Sequence, residues 1–251
     1  MCVSGMENAI FLVLMKPAFK KYLLLLLLAS AGLAVFHVAP PSLKTLQLLP
    51  SQDLSAIAAF SDNTASGHSV IHLLTQDSLI STQIVLDTSS GRDVWAGFGW
   101  KLSDANWSFI DTVFLDIRCV GCSEVQLKLL TYDPDVSKRD DFSTYRQLVK
   151  EIPVSGNWQR IALPAEHFYV PEWWYQQHKV DKSLDSKHLE SVARFDIQPS
   201  SQAPRGTSIN LEVRSLTMVG SSPRNAAILL GYLFLLMLFV LGTNPHRRKP
   251  Q

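Results

Sequence analysis

Apolar and polar residues alternate along the central part of the chain. Because successive side chains of a β-strand point to opposite faces, this alternation predicts short strands with one buried face. Clusters of Gly, Asn, Asp, Ser or Pro separate nine such segments, which are residues 68–75, 81–88, 95–102, 111–118, 124–132, 145–154, 158–164, 192–199 and 208–219. Many short strands without a long helix between them predict an all-β, antiparallel sandwich.

Two apolar runs flank this region. Residues 22–38 and 226–243, which are 17 and 18 residues long, carry no charged side chain, and basic residues precede the first run and follow the second. These lengths lie near the lower limit for a membrane-spanning helix, and basic flanks are typical of the cytoplasmic side. We therefore predict two transmembrane helices in a bacterial inner membrane, with the lipid bilayer as a partner and the central domain in the periplasm.

The predicted organisation follows from these runs. It comprises a cytoplasmic N-terminus at residues 1–21, a transmembrane helix or signal anchor at 22–38, a linker with a short helix at 39–59, the sandwich at 60–220, a second transmembrane helix at 226–243 and a basic cytoplasmic tail at 244–251. Two alternatives stay open. Small residues at 29–31 resemble a signal-peptide cleavage site, and translation could start at Met1 or Met15.

Net charge argues against nucleic acid as a partner. The chain has 23 Lys plus Arg and 22 Asp plus Glu, but residues 40–224 hold 17 basic and 21 acidic residues, a net charge of −4. Binding to phosphates needs a basic surface.

Two cysteines of the central region form a Cys-x-x-Cys motif, Cys119 and Cys122. A redox motif of this kind usually opens a helix, where the helix N-terminus lowers the thiol pKa, whereas this one lies between two predicted strands. We therefore predict a structural disulfide or a free thiol pair rather than a catalytic dithiol.

The succession of strand sequences is similar to a known family. The segments that carry the similarity are, in order, "FSDNTASGHSVIHL", "WAGFGWKL", "IDTVFLDIR", "VQLKLLTYD", "NWQRIALPAEHF", "ARFDIQP" and "SINLEVRSLTMV". Together they resemble the galactose-binding-like jelly roll, the sandwich of many carbohydrate-binding modules, over about residues 60–219. The resemblance implies binding of a sugar or another ligand, at loops or on a concave sheet face, without catalysis. Residues 166–190 depart from the pattern because they are longer and more aromatic than a turn.

That aromatic segment is the predicted ligand site. Adjacent large rings in "EHFYVPEWWYQQH" cannot all face one core, so at least one points elsewhere. Sugar rings stack on aromatic rings and present hydroxyls to polar groups. The predicted ligand-binding residues are Trp173, Trp174, Tyr175, Gln176 and His178, with Gln177 beside them. The alternative is that the rings pack against the sandwich edge or lie at the level of lipid headgroups.

A loop with four carboxylates, Asp133, Asp135, Asp140 and Asp141, is a candidate calcium site, because calcium prefers oxygen ligands. The alternative is a solvated polar loop, since Lys138 and Arg139 lie among the aspartates. No other cofactor is predicted. The sequence carries no recognisable catalytic motif, so we do not predict an enzyme.

The resulting functional hypothesis is a membrane-anchored extracytoplasmic binding module that recognises a carbohydrate or another envelope ligand, and that could serve as the sensory part of a partner signalling protein. One alternative is a non-catalytic interaction or scaffold subunit of an envelope complex, with a membrane protein as its partner. A second is a hydrolase of unknown substrate.

Overall fold

A computed structural model describes residues 17–38, 42–50, 53–76, 78–89, 91, 93–182 and 186–242 of the chain. The chain divides into two compact units. Leu43–Ser221 forms a β-sandwich, and the segments on either side of it form a helical unit. Of the predicted cytoplasmic N-terminus at residues 1–21, residues 1–16 lie outside the described residues, as does the predicted tail at residues 244–251, whereas residues 17–21 belong to a helix.

The sandwich consists of two antiparallel sheets. Its strands are β1 (Leu43–Leu49), β2 (Ile57–Ser61), β3 (Val70–Gln76), β4 (Leu79–Val85), β5 (Ala96–Ala105), β6 (Ile110–Val120), β7 (Glu124–Thr131), β8 (Arg146–Pro153), β9 (Gln159–Pro164), β10 (Val192–Pro199) and β11 (Ser208–Ser221). Six strands form one sheet in the order β3-β4-β11-β6-β9, with β1 also paired to β11. Five strands form the other in the order β2-β5-β10-β7-β8. The predicted antiparallel sandwich is therefore confirmed.

The core lies between the inner faces of the two sheets. Strand β4 shows the reason: Ile80, Thr82 and Ile84 are buried, whereas Ser81 and Gln83 between them are less buried. The same alternation brings Trp100 and Phe195 together in the core at a ring-centroid distance of 5.9 Å. Burying aromatic rings of this size contributes strongly to stability.

The sandwich begins earlier than the sequence pattern predicts. Residues 39–59, which we assigned to a linker with a short helix, contain β1 and most of β2. A short 3-10 turn, Leu54–Ala56, lies between these strands. Pairing of β1 with β11 and of β2 with β5 determines their conformation, so tertiary contacts outweigh local helix propensity here.

Helices α1 (Pro17–Val38) and α3 (Arg224–Gly242) form the helical unit. They contact each other directly, since the Tyr232 hydroxyl donates a hydrogen bond of 2.8 Å to the carbonyl oxygen of Leu28. Gly32 allows this approach, because a Cβ there would lie 2.4 Å from the Tyr232 ring.

The predicted transmembrane helices are wrong: among the described residues, no helix combines the length and the apolar character needed to span a bilayer. Lys20 and Lys21 lie near the start of α1, and Arg224 and Asn225 begin α3, so neither helix is apolar throughout. The predicted double-anchored inner-membrane location with a periplasmic domain is corrected accordingly, and the lipid bilayer has no support as a partner.

Candidate functional site

The second half of the predicted aromatic segment folds into a short helix, α2 (Glu172–His178), which divides the rings of Trp173, Trp174 and Tyr175 between core and solvent. Trp174 is completely buried, and its Nε1 donates a hydrogen bond of 2.8 Å to the carbonyl oxygen of Tyr145. Tyr175 is also buried, whereas Trp173 is 47% exposed. A ligand approaching from solvent can therefore meet Trp173 but not its two neighbours.

The polar residues of α2 lie beside these rings. Gln176 and Gln177 are exposed, and His178 is half-buried. The His178 ring lies one helical turn after Trp174, at a centroid distance of 4.7 Å, and burial lowers its pKa. The ligand site on this segment stays a prediction, and in this arrangement it depends on Trp173, Gln176 and Gln177.

A buried ion pair lies beside the inward-facing rings of Trp174 and Tyr175. Arg146 donates from Nη2 and Nε to Oδ2 of Asp133 at 2.6 and 3.1 Å. The guanidinium lies 4.8 Å from the ring centroid of Trp174 and 5.9 Å from that of Tyr175. Cation–π contact is strongest away from water, so the two rings cover the charged pair.

The four aspartates of the predicted calcium loop have separate roles. Asp133 binds Arg146, and the Asp141 side chain accepts hydrogen bonds from the Ser143 backbone and hydroxyl. Asp135 and Asp140 are exposed. Burial by itself raises the pKa of Asp133, but hydrogen bonds from Arg146 and Asp135 outweigh it and lower that pKa. Across the described residues, no three His, Cys, Asp or Glu side chains are grouped as a metal site, so the calcium hypothesis has no ligand arrangement to support it.

Cys119 and Cys122 are joined by a disulfide in the structure. The bond closes the turn after β6, where Gly121 has a φ of +96°. This conformation is unfavourable for residues with a Cβ, and a Cβ at Gly121 would also lie 2.6 Å from the carbonyl oxygen of Ser208. The motif is thus a bonded turn between two strands.

A polar surface covers the outer face of the five-stranded sheet. On β10, Phe195 and Ile197 face the core, so Arg194, Asp196 and Gln198 alternate with them on the opposite face. The same alternation on neighbouring strands completes a surface that we call the polar face. Its residues are Phe60, Gln126, Lys128, Glu151, Arg194, Asp196, Gln198 and, beside β8, Tyr169.

Hydrogen bonds connect the polar face across three strands. Gln198 on β10 donates from Nε2 to Oε1 of Gln126 on β7 at 3.2 Å. Gln126 in turn donates to Oε1 of Glu151 on β8 at 2.7 Å, and the Tyr169 hydroxyl donates to the other oxygen of Glu151 at 3.0 Å. Among the described residues, Oε1 of Gln198 is buried and accepts no hydrogen bond. The series therefore ends at an acceptor without a donor.

An ion pair lies at the centre of the polar face. Arg194 donates from Nε to Oδ1 of Asp196 at 2.6 Å, and its guanidinium lies 4.7 Å from the ring centroid of Phe60. Asp196 is opposite Lys128 on β7 and opposite Gly99 on β5. A Cβ on Gly99 would lie 1.8 Å from Oδ1 of Asp196, so glycine leaves the space that this carboxylate fills.

Burial shifts two of these groups away from their charged forms. It raises the pKa of Asp196 to about 6, although Arg194 and Lys128 oppose the shift. Burial likewise lowers the pKa of Lys128, against the attraction of Asp196 and Glu151. Keeping charged groups at low exposure costs free energy, and the ion pair with Arg194 offsets part of this cost for Asp196.

The sequence pattern of β7 and β10 indicates the residues of the polar face, although our site prediction did not include them. In "VARFDIQP" and "EVQLKLLTY", polar side chains recur at every second position of strands that are central in their sheet. Their partners on adjacent strands are far away in sequence, so the hydrogen-bonded series itself is a tertiary property.

The fold of this chain is similar to that of solved carbohydrate-binding modules. No protein-family model matches the chain, and no curated protein matches it. Among solved structures, the family 11 carbohydrate-binding module of a cellulosomal cellulase of Clostridium thermocellum is similar, with a TM-score of 0.51 and 14% sequence identity over 72% of this chain and 96% of that chain. The chain has the β-sandwich fold of a carbohydrate-binding module.

A second solved structure agrees. The family 11 module from Clostridium thermocellum in complex with a β-1,3-1,4-mixed-linked tetrasaccharide has a TM-score of 0.50 and 15% identity, over 70% of this chain and 96% of that chain. At these identities the similarity establishes the fold. The expected relation to carbohydrate-binding-module sandwiches is therefore confirmed for the architecture.

Proposed function

We propose that this protein binds a neutral carbohydrate chain on the polar face of its five-stranded sheet. The observation that carries the proposal is the series of hydrogen bonds from Tyr169 to Gln198, which ends in a buried acceptor without a donor. Tyr169, Glu151 and Gln126 are the members of the series that keep exposed surface, and a sugar hydroxyl, which both donates and accepts, can exchange hydrogen bonds with them.

The shape of the polar face suits an extended ligand. Phe60 on β2 and Tyr169 beside β8 place an aromatic ring near each side of the sheet, and amide, carboxylate and guanidinium groups lie between them. Strands lie about 4.8 Å apart, so the four intervals from β2 to β8 measure about 19 Å. Rings suit the apolar face of a sugar, and planar polar groups suit its hydroxyls.

Charge on the polar face favours an uncharged ligand. Arg194 and Lys128 are balanced by Asp196 and Glu151, so neither sign dominates. The similar module that was solved with a mixed-linked tetrasaccharide is consistent with this ligand class. We extend the class, a neutral β-linked glucan chain, to this protein as part of the proposal.

The proposed activity is binding without catalysis. Glu151 accepts two hydrogen bonds, and Asp196 is bonded to Arg194. A general acid or base must reach the proton that it transfers, and both carboxylates are already engaged. In the part of the chain that the structure describes, no observation favours the predicted sensory role or the scaffold alternative.

Calorimetric titration of the purified full chain with a β-1,3-1,4-linked tetrasaccharide tests the proposal. Tyr169→Ala and Gln126→Ala should each weaken binding about tenfold or more, equivalent to about 1.4 kcal/mol. Trp173→Ala is the matched control, because Trp173 and Tyr169 have similar exposures of 47% and 48%. It should change affinity less than about twofold, within the range of a surface substitution.

Two outcomes contradict the proposal. If Trp173→Ala abolishes binding and Tyr169→Ala does not, the ligand binds at α2, as the sequence predicted. If the folded protein binds no neutral glucan in titration or on a glycan array, the polar face is not a carbohydrate site. Circular dichroism of each variant verifies folding.

A further inference from the structure

Three arginines form a second feature on the opposite side of the sandwich. Arg118 on β6, Arg160 on β9 and Arg214 on β11 alternate with buried residues, so they lie on the outer face of the six-stranded sheet. Two aromatic rings and two carboxylates lie among them. We call this set the arginine patch; its residues are Phe114, Asp116, Arg118, Trp158, Arg160, Glu212 and Arg214.

Strand register arranges these charges in adjacent rows. Glu212 is opposite Arg118, and Asp116 is opposite Arg160. A β-bulge between Val213 and Ser215 places Arg214 beside the second of these rows, which contains Asp116 and Arg160. Strands lie about 4.8 Å apart, so the arginines of β11 and β9 are separated by two intervals, about 10 Å.

Aromatic rings hold the guanidinium groups in place. The guanidiniums of Arg118 and Arg214 lie 5.0 and 4.7 Å from the ring centroid of Trp158, and that of Arg160 lies 5.5 Å from the centroid of Phe114. A guanidinium stacked on a ring still presents N–H groups at its edge. These edges can bind an anion with little loss of side-chain freedom.

The surface that a partner meets is cationic. Side chains of Arg214 and Arg118 are 52% and 39% exposed, whereas those of Asp116 and Glu212, their ion-pair partners, are 20% and 17% exposed. Ser81 also donates to Glu212. Arg160 is exposed and, among the described residues, has no carboxylate partner. The arginine patch therefore holds one more cation than anions, and its cations are outermost.

We infer that the arginine patch is a binding site for an anionic polysaccharide that carries carboxylate or sulfate groups. Guanidinium edges match planar carboxylates and sulfate oxygens, and three of them on neighbouring strands match a chain with repeated anions. This site is on the other sheet from the polar face, so the inference does not depend on the proposed neutral glucan site.

Two other classes of polyanion fit less well. The centre of a protein interface is usually apolar, but in the arginine patch both rings are half-buried and lie beside guanidiniums. Nucleic acid has a much denser negative charge and needs a broadly basic surface, whereas residues 40–224 have a net charge of −4 (17 basic and 21 acidic residues).

The test is titration of the full chain at low salt with polygalacturonate, which carries carboxylates, and with dextran sulfate, which carries sulfates. Fully methyl-esterified polygalacturonate is the uncharged control. Arg160→Gln should weaken binding to the charged polymers about fivefold or more, because a charge-assisted hydrogen bond is lost. Arg139→Gln removes an equally charged, exposed side chain outside the patch and should have less than about a twofold effect.

Binding of the charged polymers to the arginine patch should also weaken steeply as the salt concentration rises, because exposed charges are screened. Which charged polymer binds more tightly distinguishes carboxylate from sulfate as the ligand group.

Three results would overturn the inference: equally tight binding of the methyl-esterified polymer, equal effects of Arg160→Gln and Arg139→Gln on affinity, or no binding to either charged polymer. Stronger binding of polyglutamate than of both polysaccharides would assign the patch to an acidic protein instead. Affinity for the neutral tetrasaccharide should be unchanged in Arg160→Gln.

Discussion

Arg146 and Asp133 form an ion pair of 2.6 Å in which the two side chains are 2% and 3% exposed. Burying both charges is costly, and the pair is tolerated because hydrogen bonds and the rings of Trp174 and Tyr175 surround it. The pair joins the loop after β7 to the start of β8 and provides the surface on which α2 packs.

Asp133→Asn should therefore lower the free energy of unfolding by about 3–5 kcal/mol, because the Arg146 charge would lose its partner while buried. Asp135→Asn, on an exposed residue of the same loop, should change it by no more than about 0.5 kcal/mol. Urea unfolding measures both. Thermal unfolding of the wild type with calcium and with a chelator tests the calcium hypothesis. Equal melting temperatures are expected, whereas a large rise in melting temperature with calcium would support a metal site in this loop.

Adjacent tryptophans on α2 should differ sharply in their effect on stability. Trp174→Ala should lower the free energy of unfolding by about 3–5 kcal/mol, because it creates a cavity beside Arg146 and leaves the Tyr145 carbonyl without its donor. Trp173→Ala should cost less than about 1 kcal/mol, since nearly half of that side chain is exposed. Equal losses in the two variants would show that α2 does not pack as described.

Asp196 should give the protein a distinctive pH dependence. Its pKa is about 6 in the folded protein against an ordinary value of 3.8, so the folded state holds this proton more tightly. The resulting stabilisation is fully present below about pH 4 and is lost as the pH rises through about 6.

Urea unfolding from pH 4.5 to 7.5 compares wild type with Asp196→Asn, which cannot titrate at this position. The stability of the wild type relative to Asp196→Asn should fall across this range. Gln176→Ala, which removes an exposed side chain that does not titrate, is the control and should show a constant difference. A constant difference for Asp196→Asn as well would contradict the raised pKa.

Gly99→Ala should disturb the polar face from the neighbouring strand. The added methyl group would lie 1.8 Å from Oδ1 of Asp196 and 2.6 Å from the Phe195 carbonyl oxygen. Such overpacking typically costs about 1–3 kcal/mol, and displacement of Asp196 should also weaken tetrasaccharide binding. At Gly156 the nearest atom would be 3.5 Å away, so Gly156→Ala should alter neither stability nor binding appreciably.

Strand alternation predicted the sandwich because side-chain burial repeats along each strand, as in Leu79–Val85. It failed for β2, whose sequence "IAAFS" is rich in alanine and has no alternation, and which becomes a strand by pairing with β5. Local hydropathy also predicted two membrane spans, which the described parts of the flanking helices do not provide.

The candidate site shows the same division between local and tertiary information. Adjacent aromatic residues in "WWY" identified a segment where at least one ring leaves the core, and Trp173 is that ring. Sequence could not show that Trp174 and Tyr175 pack beside Arg146, since these residues are distant in the chain. For the same reason it could not show that Gln198, Gln126 and Glu151 meet.

Leu43, the first residue of the sandwich, is paired with Ser221, its last. Such partners are about 5 Å apart, so a short turn could join the two ends of the sandwich directly. A circular permutant with that junction could begin and end instead at the exposed residues 155–157, between β8 and β9. It would keep every strand pair of both sheets and carry the polar face and the arginine patch on a chain with a different beginning and end.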